Sequence, residues 1–177
     1  MNHIVIIGFM GSGKTKVGKR LAKDYNLPFI DLDKVVAKKM KMPISEIFKK
    51  MGEPFYRAME TYIVKALIED KERKVVCLGA GCPMQEQNAE LIPQLGTVIY
   101  LKGTPQVLIE KIKEKQGNPI EREETTVERL TAKIESRDPQ YGKLADIKVS
   151  ISTHSFDAMI ETIEKKLSDL EKKSEKK

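Results

Sequence analysis

The stretch Gly8-Phe9-Met10-Gly11-Ser12-Gly13-Lys14-Thr15 carries the spacing G-x-x-x-x-G-K-[ST], that of a loop that cradles phosphates. Each residue type has a physical reason. Glycines let the backbone curl until successive N–H groups turn inward onto phosphate oxygens. A helix opening just after the loop adds the positive end of its dipole. Lys14 supplies a mobile point charge for the β- and γ-phosphates, and the Thr15 hydroxyl is a ligand for Mg2+. The apolar run Ile4-Val5-Ile6-Ile7 leads straight into Gly8, and Val17, Leu21 and Ala22 follow at helical spacing. The sequence therefore predicts binding of a nucleoside triphosphate such as ATP, with Gly11, Ser12, Gly13, Lys14, Thr15 and Lys16 as contacts.

Two carboxylates come next. Phe29-Ile30-Asp31-Leu32-Asp33 reads as extended chain, in which residues two apart face the same way, so Asp31 and Asp33 share a face. At the carboxyl end of a parallel strand that face borders the ligand crevice. One carboxylate can hold water on Mg2+, and the other can hold or deprotonate a substrate hydroxyl. Arg57 and Arg137 bring a third chemistry, because a planar guanidinium binds a carboxylate through two parallel hydrogen bonds and lysine cannot. Arg57 falls in the first turns of a helix opened by Pro54, with Glu60 three residues on as a local partner. Arg137 reads as standing late in a helix, where a cation complements the dipole in any case. The residues alone leave open that both acids are merely loop-facing and both arginines merely surface charges.

The elements that must position these residues alternate between β-branched runs and helical periods. Extended segments are expected at His3–Ile7, Pro28–Leu32, Lys74–Leu78, Thr97–Leu101 and Asp146–Ile151. Helix starts are legible between them. Thr104-Pro105 is an N-cap with Pro at the first helical position, Thr125 with Glu128 is a capping box, and Ser155 opens a last helix. Strands separated by helices predict an α/β domain, a five-stranded parallel sheet with helices on both faces. Its expected extent is residues 1–170, with 171–177 a charged, flexible tail.

Composition excludes several classes. The chain has 177 residues, 40% hydrophobic and 33% charged, the balance of a globular domain. No apolar run approaches the roughly 18–20 residues that span a bilayer. Lys14, Lys16 and Lys19 interrupt the first apolar stretch, so no secretion signal is expected. Two cysteines are too few for a disulfide scaffold and suit a reducing, cytoplasmic compartment. The first 50 residues hold eleven Lys/Arg against four Asp/Glu, a balance that suits small anions, a nucleic acid or simply solvated helix faces. There is no Trp, so base stacking has little support. A monomer acting on a small molecule, without nucleic-acid or membrane partners, is expected.

Taken together, these segments resemble the shikimate kinase family. The phosphate loop and Phe29-Ile30-Asp31-Leu32-Asp33 are similar to that family's opening. So are Ile44-Ser45-Glu46-Ile47-Phe48 and Gly52-Glu53-Pro54-Phe55-Tyr56-Arg57-Ala58-Met59-Glu60. Leu78-Gly79-Ala80-Gly81 resembles its triple-glycine turn, and Glu135-Ser136-Arg137-Asp138-Pro139-Gln140-Tyr141 its late arginine motif. The resemblance covers roughly residues 3–157, in order. It implies a three-layer P-loop kinase fold akin to nucleoside monophosphate kinases, with ATP and Mg2+. It implies transfer of the γ-phosphate to the 3-hydroxyl of shikimate, on the route to chorismate and aromatic amino acids. On the same ground, Asp33 would hold the accepting hydroxyl, Arg57 and Arg137 would grip the carboxylate, and Gly79, Ala80 and Gly81 would line the ring. Asp31 would support Mg2+ beside Thr15, the helices over about 34–61 would bind substrate, and about 112–125 would form a lid.

Four positions depart from the family pattern. Ala80 replaces the middle glycine, Asn118 stands where the lid carries an arginine, Lys111 replaces another arginine, and His154 stands where a basic residue nears the adenine. Asn118 and His154 are thus candidate nucleotide contacts. Arg122 is the cation available within the segment Gly117–Glu124 to serve as a displaced catalytic substitute. A slow enzyme, or a changed substrate or role, are the alternatives. The rival functions are a P-loop kinase for another carboxylated polyol, of gluconate or aminoshikimate type, and a nucleotide-binding regulatory module with little turnover.

Overall fold

The computed structural model describes residues 3–114, 126–152 and 155–174. Strand β1 (His3–Ile7) is buried at every position, as its unbroken apolar sequence requires of a strand covered on both faces. It lies between β3 (Val75–Cys77) and β4 (Gly96–Lys102), with β2 (Phe29–Asp31) and β5 (Ile147–Ser150) at the edges. The order β2-β3-β1-β4-β5 is parallel throughout, with Ile6 opposite Cys77 on one side and Ile99 on the other. The five expected strands are all present, each trimmed or extended by a residue or two at most.

Seven α-helices connect them among the described residues: α1 (Lys14–Asp24), α2 (Leu32–Met40), α3 (Ile44–Glu69), α4 (Glu86–Leu95), α5 (Pro105–Glu114), α6 (Val127–Leu144) and α7 (Phe156–Ser174). Helices α1 and α7 touch each other on one side of the sheet, while α4 packs with α3 and α6 on the other. Gly18 lets α1 lie directly on the sheet, since a Cβ there would come within 2.5 Å of the Phe29 ring and 2.6 Å of Cys77 Sγ. Helix α3 is two helical pieces joined at Gly52, whose φ of 81° and ψ of 166° break the helix. The buried His3 is structural: its Nδ1 accepts from Lys74 N at 3.1 Å, so the proton sits on Nε2, 2.7 Å from the Leu67 carbonyl. No described helix is long and apolar enough to cross a membrane.

Three local expectations change. The cap of α6 is Thr126, whose hydroxyl accepts from Arg129 N at 3.3 Å, one residue beyond the expected Thr125. Arg137 is interior to α6, because Pro139 is absorbed and the helix continues to Leu144. A dipole contribution there is lost, since the effect fades beyond the last turn. Finally, α7 continues through Ser174, and Glu171, expected in a solvated, frayed helix end, pairs with Arg73.

Candidate active site

The phosphate loop sits at the carboxyl end of β1, between that strand and α1. Gly11 and Gly13 take left-handed φ of 78° and 87°, a region other residues enter only at a cost. Lys14 folds back over the loop, its Nζ donating to the carbonyls of Gly8 at 2.9 Å and Phe9 at 3.1 Å. Ser12 Oγ is buried with no hydrogen-bond partner among the described residues. A buried hydroxyl is ordinarily paired, so this one marks a place for an incoming acceptor such as a phosphate oxygen. Lys16 points elsewhere, its Nζ 4.1 Å from the centre of the Phe156 ring.

Asp31 and Asp33 do not share one strand face. Strand β2 ends at Asp31, which becomes the N-cap of α2, and Asp33 lies in the first helical turn. Strand alternation stops at Asp31 because its Oδ1 accepts from Lys34 N at 3.4 Å and starts the helix at Leu32. Both acids still border one small cavity of about 130 Å³ together with Gly13, Lys14 and Thr15. There Thr15 Oγ1 donates to Asp31 Oδ2 at 3.1 Å. A hydroxyl and a carboxylate beside a phosphate loop fit Mg2+, which takes one or two protein oxygens and completes its shell with phosphates and water.

A larger cavity of about 370 Å³ adjoins it and shares Lys14 and Asp33. Its wall includes Arg57 from the second piece of α3, Arg137 from α6, and Gly79, Ala80 and Gly81 from the turn after β3. All substrate-side residues singled out in the sequence thus meet in one place. Arg137 stacks near Phe9, 5.4 Å from its ring centre. Ala80 does not have a positive φ, so a methyl group there adds no backbone strain. Its carbonyl accepts from the Tyr141 hydroxyl at 2.6 Å, which ties the turn to α6.

Arg57 Nη1 donates to Glu60 at 2.7 Å, and Nε and Nη2 donate to Glu53 at 3.0 and 2.8 Å. Glu60 is fully buried, and burial pushes its carboxyl up to about 7 while the Arg57 guanidinium pulls it down. Glu60, expected only as a helix partner of Arg57, lines the cavity, as do Tyr56, Glu53, Phe48 and Lys133, to which the sequence assigns no role. The helical offset from Arg57 marks Glu60 as its partner in the sequence, but nothing local marks its burial. Nothing local marks Tyr56 or Lys133. Asn118, Arg122 and His154 lie outside the described residues, as does most of the segment 112–125.

Comparison with known proteins places this geometry. The shikimate kinase family model matches residues 10–168. The "Shikimate kinase" of Thermodesulfovibrio yellowstonii is 38% identical over 81% of this chain and 82% of its own length. That of Caldanaerobacter subterraneus is 33% identical over 92% and 94%. Among solved structures, a shikimate kinase from Acinetobacter baumannii, in complex with shikimate, superposes with a TM-score of 0.85 at 27% identity, covering 96% of this chain and 94% of that one. A gluconokinase from Sinorhizobium meliloti, at 19% identity and a TM-score of 0.62, shares the fold. With one family matching nearly end to end, the chain belongs to the shikimate kinase family.

Proposed function

We propose that the protein transfers the γ-phosphate of ATP to the 3-hydroxyl of shikimate. The observation that carries this reading is the pair of adjoining cavities with Lys14 and Asp33 common to both. One cavity has the donors that suit phosphates, the other has two arginines that suit a carboxylate, and the shared residues stand where donor and acceptor would meet. In this reading Lys14 neutralises charge that develops on the phosphoryl group in transit. Asp33 holds the acceptor hydroxyl and takes its proton. Arg57 and Arg137 fix the ring by its carboxylate. Thr15 and Asp31 hold Mg2+, which when bound neutralises phosphate charge.

A coupled ADP-release assay with shikimate, gluconate or no acceptor tests the reading. Turnover with shikimate alone is expected, abolished for the most part by Lys14→Ala. Equal ADP release with and without shikimate would overturn it, and turnover with gluconate would favour the carboxylated-polyol alternative.

A further inference from the structure

The carboxylate of Asp33 is not free to turn. Tyr56 Oη donates to Asp33 Oδ1 at 2.5 Å, reaching from α3 to the first turn of α2. The ring that carries this hydroxyl is itself fixed: Tyr56 is 4% exposed, and its ring centre lies 4.8 Å from that of Phe48. The same oxygen also lies near the turn after β3, where a Cβ on Gly79 would come within 2.6 Å of it. Oδ1 is thus engaged by the phenol beside the Gly79 turn, while Oδ2 takes no hydrogen bond among those observed.

We propose that Tyr56 is a positioning residue that clamps Asp33 by Oδ1 so that Oδ2 faces the acceptor hydroxyl. An aspartate χ2 is a broad, two-fold torsion, and a carboxylate held by one oxygen loses that freedom before substrate arrives. A phenylalanine would fill the same wall of the cavity. Only the hydroxyl adds the clamp. The proton of the acceptor hydroxyl passes to Oδ2 and Tyr56 keeps its own. Burial and the neighbouring Asp33 charge push the phenol well above its ordinary range, so it serves as a donor and not as a base. Glu60, the other carboxyl beside Gly79, is held by Arg57 and takes no hydrogen bond from Tyr56 among those observed.

The inference rests on Asp33 as the group that receives the hydroxyl, and the test separates the two. Tyr56→Phe, Asp33→Asn and the double variant are compared by kcat, shikimate KM and thermal melting. The expected result for Tyr56→Phe is kcat lower by ~10-fold, with shikimate KM within ~2-fold and a lower melting temperature that still leaves the protein folded at the assay temperature, as a loosened but still present group predicts. Adding Tyr56→Phe to Asp33→Asn is expected to slow single-turnover phosphoryl transfer no further. Wild-type kcat in Tyr56→Phe overturns the clamp, as does a higher KM with kcat kept, which would make Tyr56 a binding wall. An equal loss in both backgrounds, or a kcat loss accounted for by the fraction of protein unfolded at the assay temperature, also overturns it. Wild-type kcat in Asp33→Asn overturns the assignment of Asp33 itself.

Discussion

Arg57 lies against a carboxylate that never meets solvent: its Nη1 is 2.7 Å from Oε2 of Glu60, whose side chain is 0% exposed. The other side of the guanidinium meets Glu53, which is 58% exposed. The two contacts are therefore unequal. The outer pair is screened by water and contributes little, while the inner one cannot be replaced without leaving a buried group unpaired. If Arg57 receives the substrate carboxylate as proposed, the exposed Glu53 is the partner expected to give way and the buried Glu60 the one expected to stay.

Glu53→Gln removes the competing charge at that outer position. Shikimate KM is expected to fall by ~2- to 5-fold with kcat unchanged, in line with the small worth of an exposed ion pair. Steady-state kinetics showing a higher KM would mean that Glu53 orients Arg57 instead of competing for it.

The raised Glu60 carboxyl has a consequence for stability. In the unfolded chain it loses its proton near 4.5, whereas in the folded protein it keeps it up to about 7. Between those values the folded state binds more protons, so this group's stabilising contribution, full below 4.5, is lost as pH rises towards 7. Melting temperatures measured from roughly pH 4.5 to pH 7 are expected to fall less steeply in Glu60→Gln than in the parent protein. Parallel slopes in the two proteins would show that another group sets the dependence.

Gly81 leaves the space that Arg57 fills, and a Cβ there would overlap the guanidinium. Because the obstructing atoms end a long side chain and are not backbone, Gly81→Ala is expected to shift Arg57 and keep the fold, with some loss of stability from the strained Arg57–Glu60 pair. Shikimate KM should rise by ~10-fold, about 1.4 kcal/mol, with ATP KM within ~2-fold. Unchanged shikimate KM would remove Arg57 from carboxylate recognition.

Gly18→Ala sets two effects against each other. Alanine favours a helix by ~1 kcal/mol over glycine, but here the added methyl meets the Phe29 ring and Cys77 Sγ at 2.5 and 2.6 Å. Overpacking of this kind costs ~1–3 kcal/mol, so a net loss is expected in chemical denaturation. A more stable variant would show that α1 can lift from the sheet without penalty.

The sequence by itself determined what neighbouring residues decide among themselves. The phosphate loop was legible because its glycines, lysine and threonine act within one turn of chain. The strands were legible because β-branched runs have few other homes, and the helix start at Thr104 because the cap is local, with Val107 N bonded to its hydroxyl. Short-range reading failed where two local signals compete. Asp31 looked like a strand residue and was also a good cap, and Thr125 and Thr126 are equivalent until the chain chooses one.

Tertiary structure decided everything that depends on which distant segments meet. The strand order put β3 between β1 and β2, so the Gly79–Gly81 turn arrived beside the phosphate loop. Only then did Gly79 close on Asp33, Glu60 become buried under Arg57, and Tyr56 come within reach of a carboxylate 23 residues earlier. Such contacts leave no periodic trace in the chain. Burial and hydrogen-bond geometry arise when surfaces from separate elements exclude water together, and that exclusion is a property of the assembled sheet and helices.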